Sequence, residues 1–301
     1  QLGLLVVVDR LDRAEQAGLV VHAALDAFKA TEDRPTFIVV HSVIGWGSPR
    51  AGSAKAHGEP LGVENVAETK KAYGWPEKDF YVPDGVQAAF AKAVTDRGRP
   101  RHEEWQANFA KYRDAHSDLA AELDLIYADK LPDGWDADIP TFEADEKGIA
   151  SRDAGGKVLN AIAKRIPWLI GGSADLAPST KTDIKDADSF EPGNYGGRNF
   201  HFGVREHAMG AVVNGMTVSH LRGYGSTFLV FLDYMRPPVR LSAVREIGAV
   251  WVYTHDSIGV GDDGPTHQPI EHRATLRAIP GLDTLRPCDA NETAAAWRAI
   301  M

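Results

Sequence analysis

The sequence is short of several things, and each shortage excludes a class of protein. There is one cysteine, Cys288. It cannot close an intrachain disulfide, which fits a reducing compartment and sets the expectation of a cytoplasmic protein. A basic surplus is missing as well: 33 Lys and Arg stand against 42 Asp and Glu, a net charge of −9. Nucleic-acid binders carry a basic surplus or stripe, so no nucleic-acid partner is expected. No apolar run approaches the ~18–20 residues of a membrane span. Leu4-Leu5-Val6-Val7-Val8 has no positive residue before it and no small-residue cleavage site after it, so it is not a signal peptide. Short catalytic and metal motifs are scarce too. Arg101-His102-Glu103-Glu104-Trp105 is not H-E-x-x-H, the acidic segment near residue 262 fails the EF-hand spacing, and neither G-x-S-x-G nor a P-loop occurs.

What is present is globular. At 301 residues, 44% hydrophobic and 25% charged, the chain has the size of about two domains of ~100–200 residues each. Leu4–Val8 reads as a buried parallel strand running into Asp9. Ala14 to Ala30 has helical spacing, and Thr36–Val40 is β-branched and bounded by Arg34-Pro35, so the three make a parallel strand–helix–strand unit. Ile44 to Gly62 reads as a long Gly/Ser-rich loop, a length more often functional than not. Helices are expected at Val63–Tyr73, Gly85–Thr95 and Glu103–Ala128. Residues 129–145, rich in Pro, Gly and Asp, read as a linker. A second α/β unit follows, with helices at Ser151–Ile166, Arg205–Leu221 and Pro269–Ala278 and strands at Trp168–Gly172, Ala249–Thr254 and Asp283–Arg286. The expected fold is α/β with two doubly wound parallel-sheet domains, 1–128 (incomplete) and 146–301 (truncated at its C-terminus). The chain opens on a core strand and stops about three turns into a helix, so it reads as an interior piece of a longer protein.

Several segments carry candidate chemistry. Gly259-Val260-Gly261-Asp262-Asp263-Gly264 matches the G-x-G-x-x-G string, but two carboxylates would stand where a pyrophosphate must approach backbone N–H groups. Tyr253 to Pro269 holds two His, three Asp and three Gly at the C-terminal end of a strand, where open α/β sheets place ligands. His255 and His267 could each be satisfied structural histidines; the density of titratable groups favours a site. In Gly203-Val204-Arg205-Glu206-His207, Glu206 enters the first turn of a small, apolar helix. It either complements the helix dipole or, in a dry wall, shares a proton. Phe228, Phe231 and Tyr234 fall at i, i+3, i+6, one helical face that on its own reads as core.

At these residues the sequence resembles the transketolase family, from about Thr36 to Met301. The segments that carry the resemblance are Ile44–Pro49, Ala56–Gly62, Ile149–Arg152, Gly171–Ser179, Gly203–His207, Ser226–Phe231, Tyr253–Gly259 and Asp263–Pro269. The resemblance implies thiamine diphosphate as cofactor, sugar phosphates as substrates, a homodimer with the site at the subunit interface, and a place in the pentose phosphate pathway. By the same resemblance Glu206 is the carboxylate on N1′ of the aminopyrimidine, and Phe228, Phe231 and Tyr234 form the pocket around that ring. Asp175 and Leu176 match positions near the cofactor. His267 and Asp263 match residues that read sugar hydroxyls and assist proton transfer. Arg152, Ser179 and His255 match contacts to the phosphate end of the sugar, and His57 matches a histidine near both cofactor and substrate.

The chain also departs from the family pattern. The Gly-Asp-Gly motif of the diphosphate and metal site (Mg²⁺ or Ca²⁺) is missing, and Arg10-Leu11-Asp12 stands near where an Asn-x-Ile segment is expected. The metal ligands are therefore expected to be absent from this chain, which on that ground should have little or no activity alone. A cofactor-free interaction module of the same fold is the alternative reading. Pro237-Pro238 is a further oddity, since a proline inside a helix costs an N–H and distorts it.

Overall fold

The computed structural model describes residues 4–8, 14–261 and 263–301; Asp9, the Arg10-Leu11-Asp12 segment and Asp262 lie outside the described residues. The chain divides into two compact units, Gln1–Glu104 and Trp105–Met301.

In the first unit the β-branched runs Leu4–Val8 (β1) and Thr36–Val40 (β2) pair in parallel, Leu4 opposite Thr36 through Val8 opposite Val40. The helix Ala14–Ala30 (α1) is the crossover that a parallel pair requires. In the glycine-rich stretch after β2, Gly47 has φ +79°, and a Cβ there would lie 2.3 Å from the Tyr73 ring. That ring stacks on Trp46 with centroids 5.6 Å apart. The single turn Lys55–Gly58 (α2) carries His57, and Val63–Ala72 (α3) follows.

The next helix differs from expectation. Val86–Ala115 (α4) continues through Pro100 and breaks only at His116, before Ser117–Tyr127 (α5). Pro100 removes one N–H and frees one carbonyl, but this stretch is exposed and water can take that bond. His116, at φ −138° and ψ 60°, leaves helical space and makes the break instead.

The second unit is a three-layer α/β sandwich. Its elements are Ser151–Ala163 (α6), Leu169–Ser173 (β3), Ala177–Thr180 (α7), Asn199–His201 (β4), Glu206–Val218 (α8), Arg222–Phe228 (β5), Leu232–Val244 (α9), Val250–Thr254 (β6), His272–Arg277 (α10) and Ala290–Ile300 (α11). The sheet is wholly parallel, in the order β4-β3-β5-β6. One face is covered by α6 and α11 through Leu159, Ile162, Leu169, Tyr224 and Trp297. The other is covered by α8, α9 and α10 through Met209, Val213, Leu232, Met235, Val239 and Leu276. Residues 131–142 lie along the first of these cores, with Leu131, Trp135, Ile139 and Phe142 packed against it. Phe142 and Asn291 exchange two hydrogen bonds of 2.9 Å, and Arg165 and Arg298 pair with Asp138 and Asp136.

Three further expectations need correction. Asp283–Arg286 forms no strand; Arg286 pairs with Asp256 instead, and β6 stays at the sheet edge. Strands β4 and β5 were hidden from a pattern search, β4 by its three-residue length and β5 by Gly223 and Gly225. Phe228, Phe231 and Tyr234 do not share one helix: Phe228 ends β5, Phe231 closes a 3₁₀ turn and Tyr234 lies in α9. Apolar spacing alone cannot tell a strand-to-helix corner from a helix face. Pro237 and Pro238 do sit inside α9, which continues through them, and Asn214 Nδ2 of α8 donates to the Pro238 carbonyl at 2.9 Å.

α8 and α9 cross closely at Gly210, where a Cβ would lie 2.5 Å from Cγ of Pro238. A proline ring cannot swing away. We predict that Gly210→Ala costs about 1–3 kcal/mol. Gly215→Ala, in the same helix with nothing within 4 Å of its Cβ position, should instead stabilise by about 0.5–1 kcal/mol. Urea denaturation midpoints of the two variants check both signs.

Candidate active site

The site is assembled at the C-terminal ends of β3, β5 and β6 and the N-terminus of α8, where a doubly wound sheet opens its crevice. After β3 the chain turns sharply. Ser173 Oγ donates to the Ser226 carbonyl at 3.0 Å and accepts from the Leu176 N–H at 3.1 Å, while Asp175 is held at φ +61°. Beneath this turn Thr180, Thr182 and Ser226 join their hydroxyls at 2.6–3.2 Å, and Tyr224 OH donates to the Thr182 carbonyl at 2.8 Å. Burial pushes the Tyr224 phenol well above its ordinary value, so it stays a neutral donor.

An open cleft of about 700 Å³ results, lined by Ala174, Asp175, Leu176, Val204, Arg205, Glu206, His207, Phe231, Tyr234 and His267. Glu206 is the first residue of α8 and only 6% exposed. Phe231 and Phe228 stack with centroids 5.9 Å apart, and Phe231 meets Tyr234 at 6.2 Å. His267 stands edge-on to Phe231 at 5.3 Å, and its Nδ1 is 2.9 Å from Thr266 Oγ1.

His255 packs on the Phe228 ring at 3.7 Å, with the backbone left-handed at φ +53°. Arg152, in the first turn of α6, reaches its Nε2 at 3.0 Å, and Thr254 Oγ1 is 2.8 Å from its Nδ1. Arginine only donates, so Nε2 accepts and the proton lies on Nδ1, which donates to Thr254. Burial and the Arg152 charge together hold the imidazole below its ordinary value, with Asp263 opposing and His267 assisting.

The structure thus brings Asp175, Leu176, Glu206, Phe231, Tyr234 and His267 into one cleft, with Phe228, His255 and Arg152 joined to it through ring and hydrogen-bond contacts. Asp263 lies exposed, and its charge acts on His255. Ser179 is on α7, one turn beyond Leu176, and is not among the lining residues. His57 is an exposed residue of the first unit. Arg205 and His207 line the cleft inside the Gly203–His207 segment without having been singled out, and Thr254 and Thr266 were missed. Each threonine directly precedes a candidate histidine, the signal that could have found it.

Residues 147–301 match the family described as "Transketolase, pyrimidine binding domain", and residues 6–132 match "Transketolase, thiamine diphosphate binding domain". The chain belongs to the transketolase family. It is 50% identical over 279 residues to the transketolase of Bacillus subtilis (strain 168) and 51% identical over 281 residues to that of Geobacillus stearothermophilus; each match covers 92% of this chain and 42% of the relative. The chain therefore spans about two fifths of the length of these transketolases. Among solved structures it is similar to the transketolase of Leishmania mexicana (39% identity, TM-score 0.85, 98% of this chain and 44% of that one). It is equally similar to the Pichia stipitis transketolase in complex with sedoheptulose-7-phosphate (38% identity, TM-score 0.85, 99% of this chain and 45% of that one).

The His255 environment yields a pH test. A histidine held below its unfolded value stabilises the fold fully above the ordinary 6.5, and that contribution is lost as the pH falls through 6.5 towards the native value. We predict an NMR titration midpoint for His255 below 6.5, which Arg152→Ala shifts upward by removing one of the charges that lower it. A midpoint at or above 6.5, or no shift in the variant, would contradict this.

Proposed function

We propose that this chain forms the pyrimidine-binding side of a transketolase active site, in the transfer of a two-carbon glycolaldehyde unit from a ketose phosphate to an aldose phosphate. The observation that carries this is Glu206, a carboxylate buried at the start of α8 in a cleft it shares with Phe231 and Tyr234. A flat aminopyrimidine needs apolar contact on its faces and a carboxylate on a ring nitrogen, and these residues fit that need. When bound, thiamine diphosphate supplies the carbanion chemistry.

The roles of the chain's own groups follow from their surroundings. Glu206 holds a proton at N1′ of the aminopyrimidine. Phe228, Phe231 and Tyr234 exclude water from that ring, beside Asp175 and Leu176. His267, its Nδ1 tied to Thr266, offers Nε2 to a sugar hydroxyl, and Asp263 reads a neighbouring hydroxyl. Arg152 keeps donors beyond the one given to His255, and these, with Ser179, suit the phosphate end of the sugar. His57 is assigned to contact cofactor and substrate. The diphosphate and its Mg²⁺ or Ca²⁺ would be held by ligands outside this chain. Among the described residues the groups able to gather a metal ion all lie in the second unit, so no step is assigned to that ion.

Exposed apolar side chains on α8 and α9, Val212, Leu241 and Val244, support a homodimer with the active site at its interface. We assign 1–128 and 146–301 as the two domains, with 129–145 joining them, and a cytoplasmic location. No helix among the described residues is long and apolar enough to cross a membrane.

The test is a titration of the purified chain with thiamine diphosphate and Mg²⁺, followed by tryptophan quenching. Saturable binding is expected, weakened about tenfold or more by Glu206→Gln through loss of a charge-assisted hydrogen bond. Equal affinity in the variant would overturn the assignment and leave the cofactor-free module as the better reading; absence of binding by either protein at millimolar cofactor would mean that the missing diphosphate side is essential and that the chain is a fragment of an enzyme.

A further inference from the structure

Away from the cleft lining, one buried imidazole has no hydrogen bond on either nitrogen. His272 opens α10, is 5% exposed, and neither Nδ1 nor Nε2 finds a hydrogen-bond partner. A polar group left unpaired in the interior is costly, and such a group calls for an explanation. Two carboxylates flank the ring. Asp233 Oδ1, in the first turn of α9, lies 3.2 Å from Nε2, and Glu271 Oε2 lies 4.0 Å from Nδ1. The Asp233 contact is short enough for a hydrogen bond but out of line for one.

That combination is what two ligands of one ion present. With metal–ligand bonds of ~2.1 Å and tetrahedral or octahedral angles, donor atoms stand about 3.0–3.4 Å apart, each aimed at the ion and not at the other. One nitrogen of His272 and one oxygen each of Asp233 and Glu271 all lie within 4.8 Å of one another. The carboxylate side chains are 64% and 66% exposed, so packing does not hold them back from closing on an ion. The backbones that carry them are fixed, because Leu232 and Met235 of α9 share one core with Leu276 of α10.

We propose that Asp233, Glu271 and His272 form a binding site for a first-row divalent transition cation, with zinc as the best match. Imidazole nitrogen with carboxylate oxygen suits zinc, cobalt or manganese better than magnesium or calcium, which prefer all-oxygen shells. The exposed side leaves a coordination position to water. None of the three residues lines the cleft, and the site does not depend on the cofactor assignment. An ion there would tie α10, which follows the His255–Glu271 segment, to α9, which carries Tyr234.

The experiment uses the full 301-residue chain, stripped with a chelator and free of thiamine diphosphate. It is titrated with Zn²⁺ against a chromophoric competitor, and with Co²⁺ to read the visible absorption of a nitrogen-ligated ion. One Zn²⁺ per chain is expected, with a rise in thermal midpoint on saturation and affinity weakened at least about tenfold in Asp233→Asn and in His272→Gln. Asp233→Asn changes an exposed position and decides the matter if His272→Gln does not fold. Lack of stoichiometric binding overturns the proposal. So does unchanged affinity in Asp233→Asn, which would put the ion elsewhere, as at Cys288, Asp289 and Glu292, and so does Mg²⁺ competing at equal concentration.

Discussion

The second unit depends on strands that approach one another too closely to carry side chains. A Cβ on Gly171 would lie 2.1 Å from the Tyr224 carbonyl oxygen, and one on Gly172 would lie 1.8 Å from that of Phe200. Backbone cannot yield as a flexible side chain does, so β3 fits between β4 and β5 only as glycine. The site inherits its geometry from this fit. Asp175, Phe228 and His255 leave the same end of three strands whose mutual spacing is set by the absence of side chains between them. The hydroxyl cluster of Thr180, Thr182 and Ser226 then closes the floor beneath, where an apolar filling would leave the Gly172 and Leu176 carbonyls without their side-chain partners.

The same region divides its charges between depth and rim. Glu206 is buried at a helix N-terminus, where the helix dipole favours a negative group. The histidines stand farther out, each with Nδ1 beside the hydroxyl of the threonine before it, so that neither ring is free to rotate. Arg152 then reaches across from α6 to fix which His255 nitrogen carries the proton. A rigid, neutral imidazole beside a guanidinium differs from a mobile, half-protonated one: it accepts the arginine's hydrogen bond without repelling its charge.

How much of this was legible in the sequence depends on what each residue must do. β1, α1 and β2 were readable because β-branched runs and helical spacing report backbone conformation directly, and α1 and β2 have the bounds that the pattern predicts. β5 was not, because the glycines its neighbours demand erase the strand signal. The aromatic stripe was legible as a group and misleading as a shape: spacing of three suits a helix, yet the chain turns a corner between Phe228 and Tyr234. Candidate site residues stood out where titratable groups crowd a segment that contains glycine, as in Gly203–His207 and Tyr253–Pro269. Groups that act by holding others, such as Thr254, were invisible, since a threonine in a strand is ordinary. Asp233 and His272 are far apart in the chain, and only the packing of α9 on α10 brings them together.

The parallel order of the sheet has a consequence for the chain as it is made. Ser173 and Ser226 meet in neighbouring strands although 53 residues separate them. At translation rates of ~5–20 residues per second, β3 waits roughly 3–10 s after emerging before β5 can follow it. An unpaired strand is a template for association with other copies. Leu169-Ile170-Gly171-Gly172-Ser173 is a poor template, having only two apolar side chains and two glycines, which have low strand propensity. The glycines that let the finished sheet close also keep its innermost strand from sticking while the ribosome is still supplying its partner.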